Sequence, residues 1–212
     1  MDYFQQLMTA VIDGDEEKSV DITMAALREG LAPLDILNQG LIKGIEEVGR
    51  LYQEGTYYLP ELLVGARALK DAMMIVKPLI IESGQKCSLG EIVIGSVLGD
   101  LHDIGKNIVA TMLEGAGFTV YDLGADVNID DFCNAVIEHN PDILAMSSLI
   151  SSTMLNMEKI IKALEERGLR DQVKVVIGGA PVSAKFCQRI GGDGYAEDAN
   201  QAVILCKEII NA

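Results

Sequence analysis

The chain has 212 residues, 49% hydrophobic and 23% charged, a balance that excludes a disordered or a fibrous protein. Its 32 acidic residues outnumber the 17 basic ones, and the formal net charge of −15 argues against nucleic acid or an anionic membrane as a partner. None of its four cysteines forms a Cys-x-x-Cys pair, so we expect reduced thiols in a cytoplasmic protein rather than a zinc site or a disulfide framework.

The first part of the chain, up to about residue 85, has the periodicity of helices. Apolar residues recur every three or four positions along segments that begin near Asp15, Pro33 and Pro60. Gly30 and Gly55 separate these segments, and the links between them are short. With the helical stretch that precedes Asp15, these make four amphipathic helices, and the short links between them predict a small helical bundle.

After a polar break at Ser83–Lys86, short apolar strands alternate with helices. The predicted strands cover residues 91–97, 118–122, 142–146, 173–177 and 192–195, and the predicted helices cover residues 107–114, 132–138, 153–167 and 201–210. This alternation predicts a doubly wound parallel sheet of the flavodoxin or Rossmann-like kind, on which ligands bind beyond the carboxyl ends of the strands. We therefore expect two domains, a four-helix bundle over residues 1–86 and an α/β domain over residues 87–212.

Several common features are missing from the sequence. It shows neither a signal-peptide pattern nor a run of about 18 apolar residues that could span a membrane. It also has neither a P-loop nor a strand-linked Gly-x-Gly-x-x-Gly motif, so a nucleotide phosphate site is not supported.

The loop after the first predicted strand carries Asp100 and His102, at the edge where ligands are expected. A carboxylate this close can accept one ring N–H of the imidazole, which fixes the tautomer and leaves the other nitrogen's lone pair free for a metal. Gly105 would let a bulky group approach the backbone. The alternative is that His102 caps a helix or satisfies its own loop, as a single loop histidine commonly does.

Two further loops of small residues start at the same edge. Residues 147–153 follow the third predicted strand, and Gly178-Gly179 follow the fourth. Together they form a slot beside the histidine loop rather than a polar catalytic cluster. Taken alone, Ser152 or Thr153 could instead cap the next helix, and the two glycines could form an ordinary turn.

The three motifs together resemble the signature of the base-off, His-on cobalamin-binding fold. They are Asp100-x-His102-x-x-Gly105, then Ser147-x-Leu149 after 41 residues, then Gly178-Gly179 after a further 28 residues. The helical part is similar to the cap domain of methylcobalamin-binding modules over residues 44–63. The whole chain resembles the small corrinoid proteins of three-component methyltransferase systems of the methylamine, betaine and methanol type, and the cobalamin-binding module of methionine synthase.

This resemblance implies a role for each matching residue. His102 would be the lower axial ligand of the cobalt, Asp100 would hold its second ring nitrogen, and Thr153 would supply the hydroxyl of the same relay in place of a serine. The remaining residues implied to contact the corrinoid or its nucleotide tail are Asp103, Ile104, Gly105, Ser147, Leu149, Ser151, Gly178, Gly179, Gly194 and Tyr195.

The resemblance also implies a methyl carrier that is not catalytic alone. Co(I) would take a methyl group from a substrate:corrinoid methyltransferase, and methyl-Co(III) would deliver it to a second methyltransferase acting on a thiol or on tetrahydrofolate. A reductive activase would rescue Co(II). The helical domain would cover the upper cobalt face and move about the link at Ser83–Lys86, and the side chains we expect to shield the cobalt are Tyr57, Tyr58, Leu59 and Leu62.

Three alternatives remain at this point. A mutase small subunit that uses adenosylcobalamin would carry the same first motif, but the helical part argues against it. A cobalamin-based sensor would need a DNA-binding segment, for which the chain has no basic helix. A cobalt-free flavodoxin-like or phosphoreceiver domain would leave the spacing of the three motifs to chance.

Overall fold

A computed structural model describes residues 2–83 and 88–211. Its chain divides into two compact units, one of Met1–Ser88 with Glu114–Gly117 and one of Leu89–Leu113 with Phe118–Ala212. The predicted boundary at residues 86 and 87 lies outside the described residues, as does most of the link at Ser83–Lys86 and with it Cys87.

The first unit is a bundle of four helical segments within the described residues. These are α1 (Tyr3–Ile12), α2 (Glu16–Arg28), a third segment made of α3 (Pro33–Asp35), a π-helical stretch (Ile36–Leu41) and α4 (Ile42–Gln53), and then α5 (Leu59–Glu82). The Asp15 side chain accepts a hydrogen bond from the backbone N–H of Lys18 and so caps α2, while Pro33 stands in the first turn of α3. Both predicted helix starts are therefore confirmed.

The side chains that we expected to shield the cobalt differ in how exposed they are. Leu62 is only 2% exposed and is a core residue, and its role in shielding the cobalt stays a prediction. Tyr58, by contrast, is 67% exposed just before α5, and Leu59 is also exposed. The Tyr57 hydroxyl donates to the backbone oxygen of Ile12, 3.4 Å away.

The second unit is built on a five-stranded parallel sheet, as predicted. Its strands are β1 (Glu91–Ser96), β2 (Thr119–Asp122), β3 (Ile143–Ser147), β4 (Lys174–Gly178) and β5 (Gly194–Ala196), in the order β2-β1-β3-β4-β5. Its helices are α6 (Ile104–Gly115), α7 (Ile129–His139), α8 (Leu155–Glu166), α9 (Ala184–Ile190) and α10 (Ala199–Asn211). Among the described residues, none of the helices has the length and apolar character needed to cross a membrane.

Both faces of this sheet are buried. Val93 and Leu144 pack in the core with α7 and α8, and their neighbours Ile92 and Ile143 are fully buried as well. Because successive side chains of a strand point to opposite faces, helices must cover the sheet on both sides, which is typical of parallel sheets.

The register of the sheet sets where the loops begin. Ser96 at the end of β1 pairs with Ser147 of β3, Ser147 pairs with Gly178 of β4, and Gly178 pairs with Ala196 of β5. The loops after these strands therefore start side by side. The chain reverses its winding direction between β1 and β3, and ligands of such sheets bind in the crevice at that point.

The described cysteines are chemically quiet. Cys133, Cys187 and Cys206 are free and buried. Burial raises the pKa of each thiol, that of Cys206 to about 12, so none of these sulfurs is a thiolate at neutral pH.

Candidate functional site

The loop between β1 and α6 holds Asp100 and His102 in direct contact. Asp100 is completely buried, and its Oδ1 accepts the backbone N–H of His102 at 3.1 Å and lies 2.9 Å from His102 Nδ1. An ionised carboxylate can only accept hydrogen bonds, so Nδ1 carries the proton and Nε2 keeps its lone pair. The His102 side chain is 54% exposed. An exposed imidazole with a fixed tautomer is the arrangement that a metal ligand needs.

The second carboxylate oxygen of Asp100 is surrounded by donors from the loop after β3. Its neighbours are the backbone N–H groups of Leu149 at 2.7 Å and Ile150 at 3.3 Å, Thr153 Oγ1 at 2.9 Å and Ser148 Oγ at 3.1 Å. The Thr153 hydroxyl is thus in contact with the buried carboxylate. Ser148 was not predicted, because it falls between the two matched positions of its motif.

These hydrogen bonds keep Asp100 ionised despite its burial. Burial alone would raise the pKa of this carboxyl, but bonds donated by Leu149, His102 and Thr153 outweigh it and hold the pKa well below its usual range. The carboxylate thus remains an acceptor for the Nδ1 proton of His102 at neutral pH.

The loop that carries His102 is itself held in place by its neighbours. Ser96 Oγ donates to the His102 carbonyl at 2.9 Å. Asp126 has a positive φ of 57° and clamps the other side of the loop: its Oδ1 accepts the Gly99 N–H at 2.6 Å, and its N–H donates to the Asp100 carbonyl at 3.0 Å. A strained residue that binds the loop at two points restricts the positions available to the carboxylate and the imidazole.

An ion pair between a buried lysine and an exposed aspartate anchors the helix that follows the loop. The Lys106 side chain is fully buried, and its Nζ lies 2.6 Å from both carboxylate oxygens of Asp122, which ends β2, and 2.6 Å from Asn107 Oδ1. Since α6 begins at Ile104, the predicted start at residue 107 is wrong by one turn. Gly105 and Lys106 in that first turn do not continue the apolar spacing of the helix, so the sequence did not show that the helix includes them.

The loop after β3 and the loop after β4 pack closely against each other at Ser148 and Gly179. A methyl group placed on Gly179 would lie 1.9 Å from the Ser148 carbonyl oxygen, and Gly179 has a φ of 117°. Only glycine fits this position. The Ser148 N–H donates to the Gly178 carbonyl at 3.2 Å. The space beside Gly179 is therefore filled by the main chain of Ser148.

Neither hydroxyl that could have capped α8 does so. The N-cap of α8 is Met154, without a side-chain hydrogen bond, and so the capping alternative for Ser152 and Thr153 is wrong. Thr153 instead binds Asp100.

Apolar side chains are exposed on the two loops that hold Asp100. Leu101 and Ile104 on either side of His102 are 74% and 77% exposed, and Leu98, Leu149 and Ile150 are exposed too. A methyl group on Gly105 would meet nothing within 4 Å, so the backbone there is open to the outside. Exposed apolar patches of this kind are typical of binding surfaces.

The other residues implied by the resemblance lie at the same edge or in its outer strand. Asp103 is half-buried before α6, Ser147 ends β3 half-buried, and Ser151 is exposed in the turn before α8. In β5, a methyl group on Gly194 would lie 2.7 Å from Leu205, and Tyr195 packs against the core of the sheet. Gly194 and Tyr195 thus both contribute to packing within the α/β unit.

Two family models match the chain, and both are described as a B12 binding domain. One matches residues 90–204 and the other residues 3–77. Among curated proteins, a corrinoid protein of Desulfitobacterium hafniense (strain Y51) is 40% identical over 212 residues, which is 99% of this chain and 98% of that protein. The trimethylamine corrinoid protein of Methanosarcina barkeri is 41% identical over 203 residues, 95% of this chain and 94% of that protein.

Solved structures agree with these matches. The methanol:cobalamin methyltransferase complex of Methanosarcina barkeri contains a chain that superimposes with a TM-score of 0.89 at 31% identity, covering 99% of this chain and 80% of that one. A cobalamin-binding protein of Desulfitobacterium hafniense DCB-2 gives a TM-score of 0.78 at 33% identity, with 98% of both chains covered.

Proposed function

The chain belongs to the B12-binding family, among the corrinoid proteins of methyltransferase systems, and we propose that it carries a methyl group from one methyltransferase to another. Its cofactor is a corrinoid. The observation that carries the proposal is the half-exposed imidazole of His102, whose Nδ1 faces a buried, ionised carboxylate. None of the relatives reported above is a mutase subunit or a sensor.

The residues of the site fit a corrinoid. His102 Nε2 offers one nitrogen donor, and the exposed side chains of Leu101 and Ile104 offer apolar contact to a large flat macrocycle. The open backbone at Gly105 leaves room for a ring to approach. In this proposal the tail of the cofactor is held by the remaining residues implied by the resemblance, namely Asp103, Ser147, Leu149, Ser151, Gly178, Gly179, Gly194 and Tyr195.

The chain's own residues then have distinct tasks. When bound, the corrinoid supplies a cobalt centre that takes up a methyl group as Co(I) and gives it to an acceptor. Asp100 holds the proton on His102 Nδ1 and so keeps Nε2 available as a donor. Thr153 and the Leu149 N–H hold the carboxylate in turn. The exposed apolar side chains would exclude water from a bound corrinoid.

The partners follow from this role. One methyltransferase binds the methyl donor, a second transfers the methyl group to a thiol or to tetrahydrofolate, and a reductive activase restores the reduced cofactor. The helical unit serves as the cap domain of the corrinoid. Of the side chains expected to shield the cobalt, Tyr57, Tyr58, Leu59 and Leu62, the exposed ones are Tyr58 and Leu59.

Histidine labelled with ¹⁵N tests whether His102 is the axial ligand. In the Co(II) state the axial nitrogen splits the EPR lines into a triplet when it is ¹⁴N and into a doublet when it is ¹⁵N. We expect one cobalamin per chain, a doublet in labelled protein and no doublet in His102→Ala, because the chain's other histidine, His139, ends α7 and stacks on Tyr121. A triplet in the labelled protein would mean that the cofactor's own base stays bound.

The carrier role has a separate measurement. After reduction, the loaded protein should take up one radiolabelled methyl group per chain from methyl iodide and release it to a thiol when a methylcorrinoid:thiol methyltransferase is added. Uptake without release to any partner would contradict the carrier role while leaving cofactor binding intact.

Replacing Gly105 with alanine separates cofactor binding from folding. The added methyl group meets no atom of the chain, and alanine favours a helix by about 1 kcal/mol over glycine, so the corrinoid-free protein should be at least as stable as wild type. Corrinoid affinity should fall by about tenfold, because a methyl group that overlaps a bound ring costs roughly 1–3 kcal/mol. Urea unfolding and equilibrium binding of cobalamin measure the two effects.

Gly49→Ala is the matched control, since Gly49 lies in α4 and also has nothing within 4 Å. It should change neither stability by more than about 1 kcal/mol nor cobalamin affinity. Equal affinities for Gly105→Ala and wild type would place the corrinoid away from Gly105.

A further inference from the structure

A second hydroxyl reaches the buried carboxylate beside the one that the resemblance assigns. Ser148 is almost completely buried, and its Oγ lies 3.1 Å from Asp100 Oδ2, 2.8 Å from Thr153 Oγ1 and 3.1 Å from the Ile150 carbonyl oxygen. Thr153 Oγ1 reaches the same two acceptors, Asp100 Oδ2 and the Ile150 carbonyl, both at 2.9 Å. Each hydroxyl thus contacts Asp100 Oδ2, the Ile150 carbonyl oxygen and the other hydroxyl.

The number of protons decides how these partners are shared. Each hydroxyl has one proton to donate, while the ionised carboxylate and the carbonyl can only accept. When one hydroxyl donates to Asp100 Oδ2, the other can donate to the Ile150 carbonyl or to its neighbouring hydroxyl. The two hydroxyls can exchange these roles by rotation about the Cβ–O bonds of Ser148 and Thr153, without movement of any heavy atom. Either hydroxyl alone can therefore supply the side-chain hydrogen bond to Asp100 Oδ2.

Main-chain contacts of Ser148 set the position of its hydroxyl. Its N–H donates to the Gly178 carbonyl, and its carbonyl occupies the space beside Gly179. Thr153 is held differently, by its own N–H, which donates to the Ile150 carbonyl at 3.1 Å, and by the restricted torsion of its β-branched side chain. The two hydroxyls are therefore placed by different main-chain contacts and converge on one oxygen.

We propose that Ser148 is a positioning residue of the His102 site, which duplicates the hydroxyl of Thr153. It holds Asp100 Oδ2, and Asp100 Oδ1 in turn holds the imidazole with its proton on Nδ1. The relay is thus a carboxylate with two interchangeable hydroxyls rather than one. Its purpose in the proposed function is to keep Nε2 aimed outward whichever hydroxyl faces the carboxylate. This inference rests on the proposed function for its purpose, but its geometry is testable without the cofactor.

The test reads the tautomer of His102 in the corrinoid-free protein. Long-range ¹H–¹⁵N spectra distinguish Nδ1–H from Nε2–H rings, and with only two histidines in the chain, His139 serves as an internal reference. At a pH where both rings are neutral, Ser148→Ala and Thr153→Ala should each lower the Nδ1–H to Nε2–H ratio of His102 by less than about twofold. The double variant should lower it by about tenfold, because Asp100 Oδ2 then keeps only the main-chain donors Leu149 and Ile150, and the carboxylate is less firmly held facing Nδ1.

Two controls keep the reading specific. Ser148→Ala combined with Thr153→Ser retains one hydroxyl and should behave like wild type, while Ser152→Ala removes an exposed neighbouring hydroxyl and should change nothing. The His139 signals and the thermal unfolding curve report whether each variant is folded. A double variant no different from Thr153→Ala, or a complete effect from Ser148→Ala alone, would overturn the proposal.

Loading the same variants with cobalamin then separates this inference from the proposed function. The ¹⁵N-histidine doublet should persist in both single variants and weaken about tenfold in the double variant. If wild type binds no corrinoid, the proposed function fails and the tautomer result stands on its own. If wild type gives the doublet and the double variant keeps it at full strength, the duplicated hydroxyl fails.

Discussion

Asp100→Asn should cost about 2–4 kcal/mol of folding free energy in the corrinoid-free protein, although the side chain keeps its size. Hydrogen-bond donors face both carboxylate oxygens, so the new NH₂ group opposes a donor whichever way the amide turns. If the NH₂ group replaces Oδ1, His102 Nδ1 must become the acceptor, and the proton moves to Nε2. Urea unfolding measures the loss of stability.

The same substitution should weaken axial coordination by about 10–100-fold, the range for residues that orient a metal ligand. The intensity of the ¹⁵N-histidine doublet in the loaded variant measures it. Asp171→Asn is the control, because Asp171 is an exposed carboxylate of the same unit. An Asp100→Asn protein with wild-type stability and a full doublet would show that this carboxylate does not orient the imidazole.

The stability difference between wild type and Asp100→Asn should also depend on pH. The pKa of Asp100 is lowered in the folded protein, so its carboxylate stabilises the fold above the pKa of an unfolded aspartate, about 4. That contribution is lost as the pH falls below about 4 toward the lower folded value. Unfolding free energies of the two corrinoid-free proteins should therefore converge under acid conditions.

The parts of this site that the sequence predicts are those with a local pattern. The apolar run at residues 91–97 predicts β1 because buried parallel strands are short, apolar and β-branched. The carboxyl end of that strand then predicts where Asp100 and His102 lie. The contact between them follows from their separation of two residues, which brings a carboxylate within reach of the ring.

Other parts have no local pattern because distant segments create them. Lys106 is buried only because Asp122 arrives from β2, and nothing around Lys106 in the sequence shows this. Ser148 reaches Asp100 because Gly179 admits its main chain. The helix α9 was missed for another reason: between its N-cap Ser183 and its C-cap Gly191 it has seven residues, too few to show a helical period.

Gly179→Ala should have the largest effect on folding, a loss of about 3–5 kcal/mol from backbone strain and overpacking together. The added methyl group would lie 1.9 Å from the Ser148 carbonyl oxygen and 2.8 Å from its carbonyl carbon, at a φ of 117°. These are main-chain atoms, so no side chain can rotate to make room. Urea unfolding of the corrinoid-free variant gives the size of the loss.

Gly191→Ala separates the strain of a positive φ from this clash. Gly191 has a φ of 79° and nothing within 4 Å of an added methyl group, so its substitution should cost only about 1–2 kcal/mol. The tautomer of His102 should stay unchanged in Gly191→Ala. In Gly179→Ala it should shift toward Nε2–H wherever the protein still folds, because a displaced Ser148 main chain also moves the neighbouring Leu149 and Ile150 N–H groups away from Asp100 Oδ2. Equal costs for the two substitutions would mean that the Ser148 main chain moves freely, and then it could not position the carboxylate.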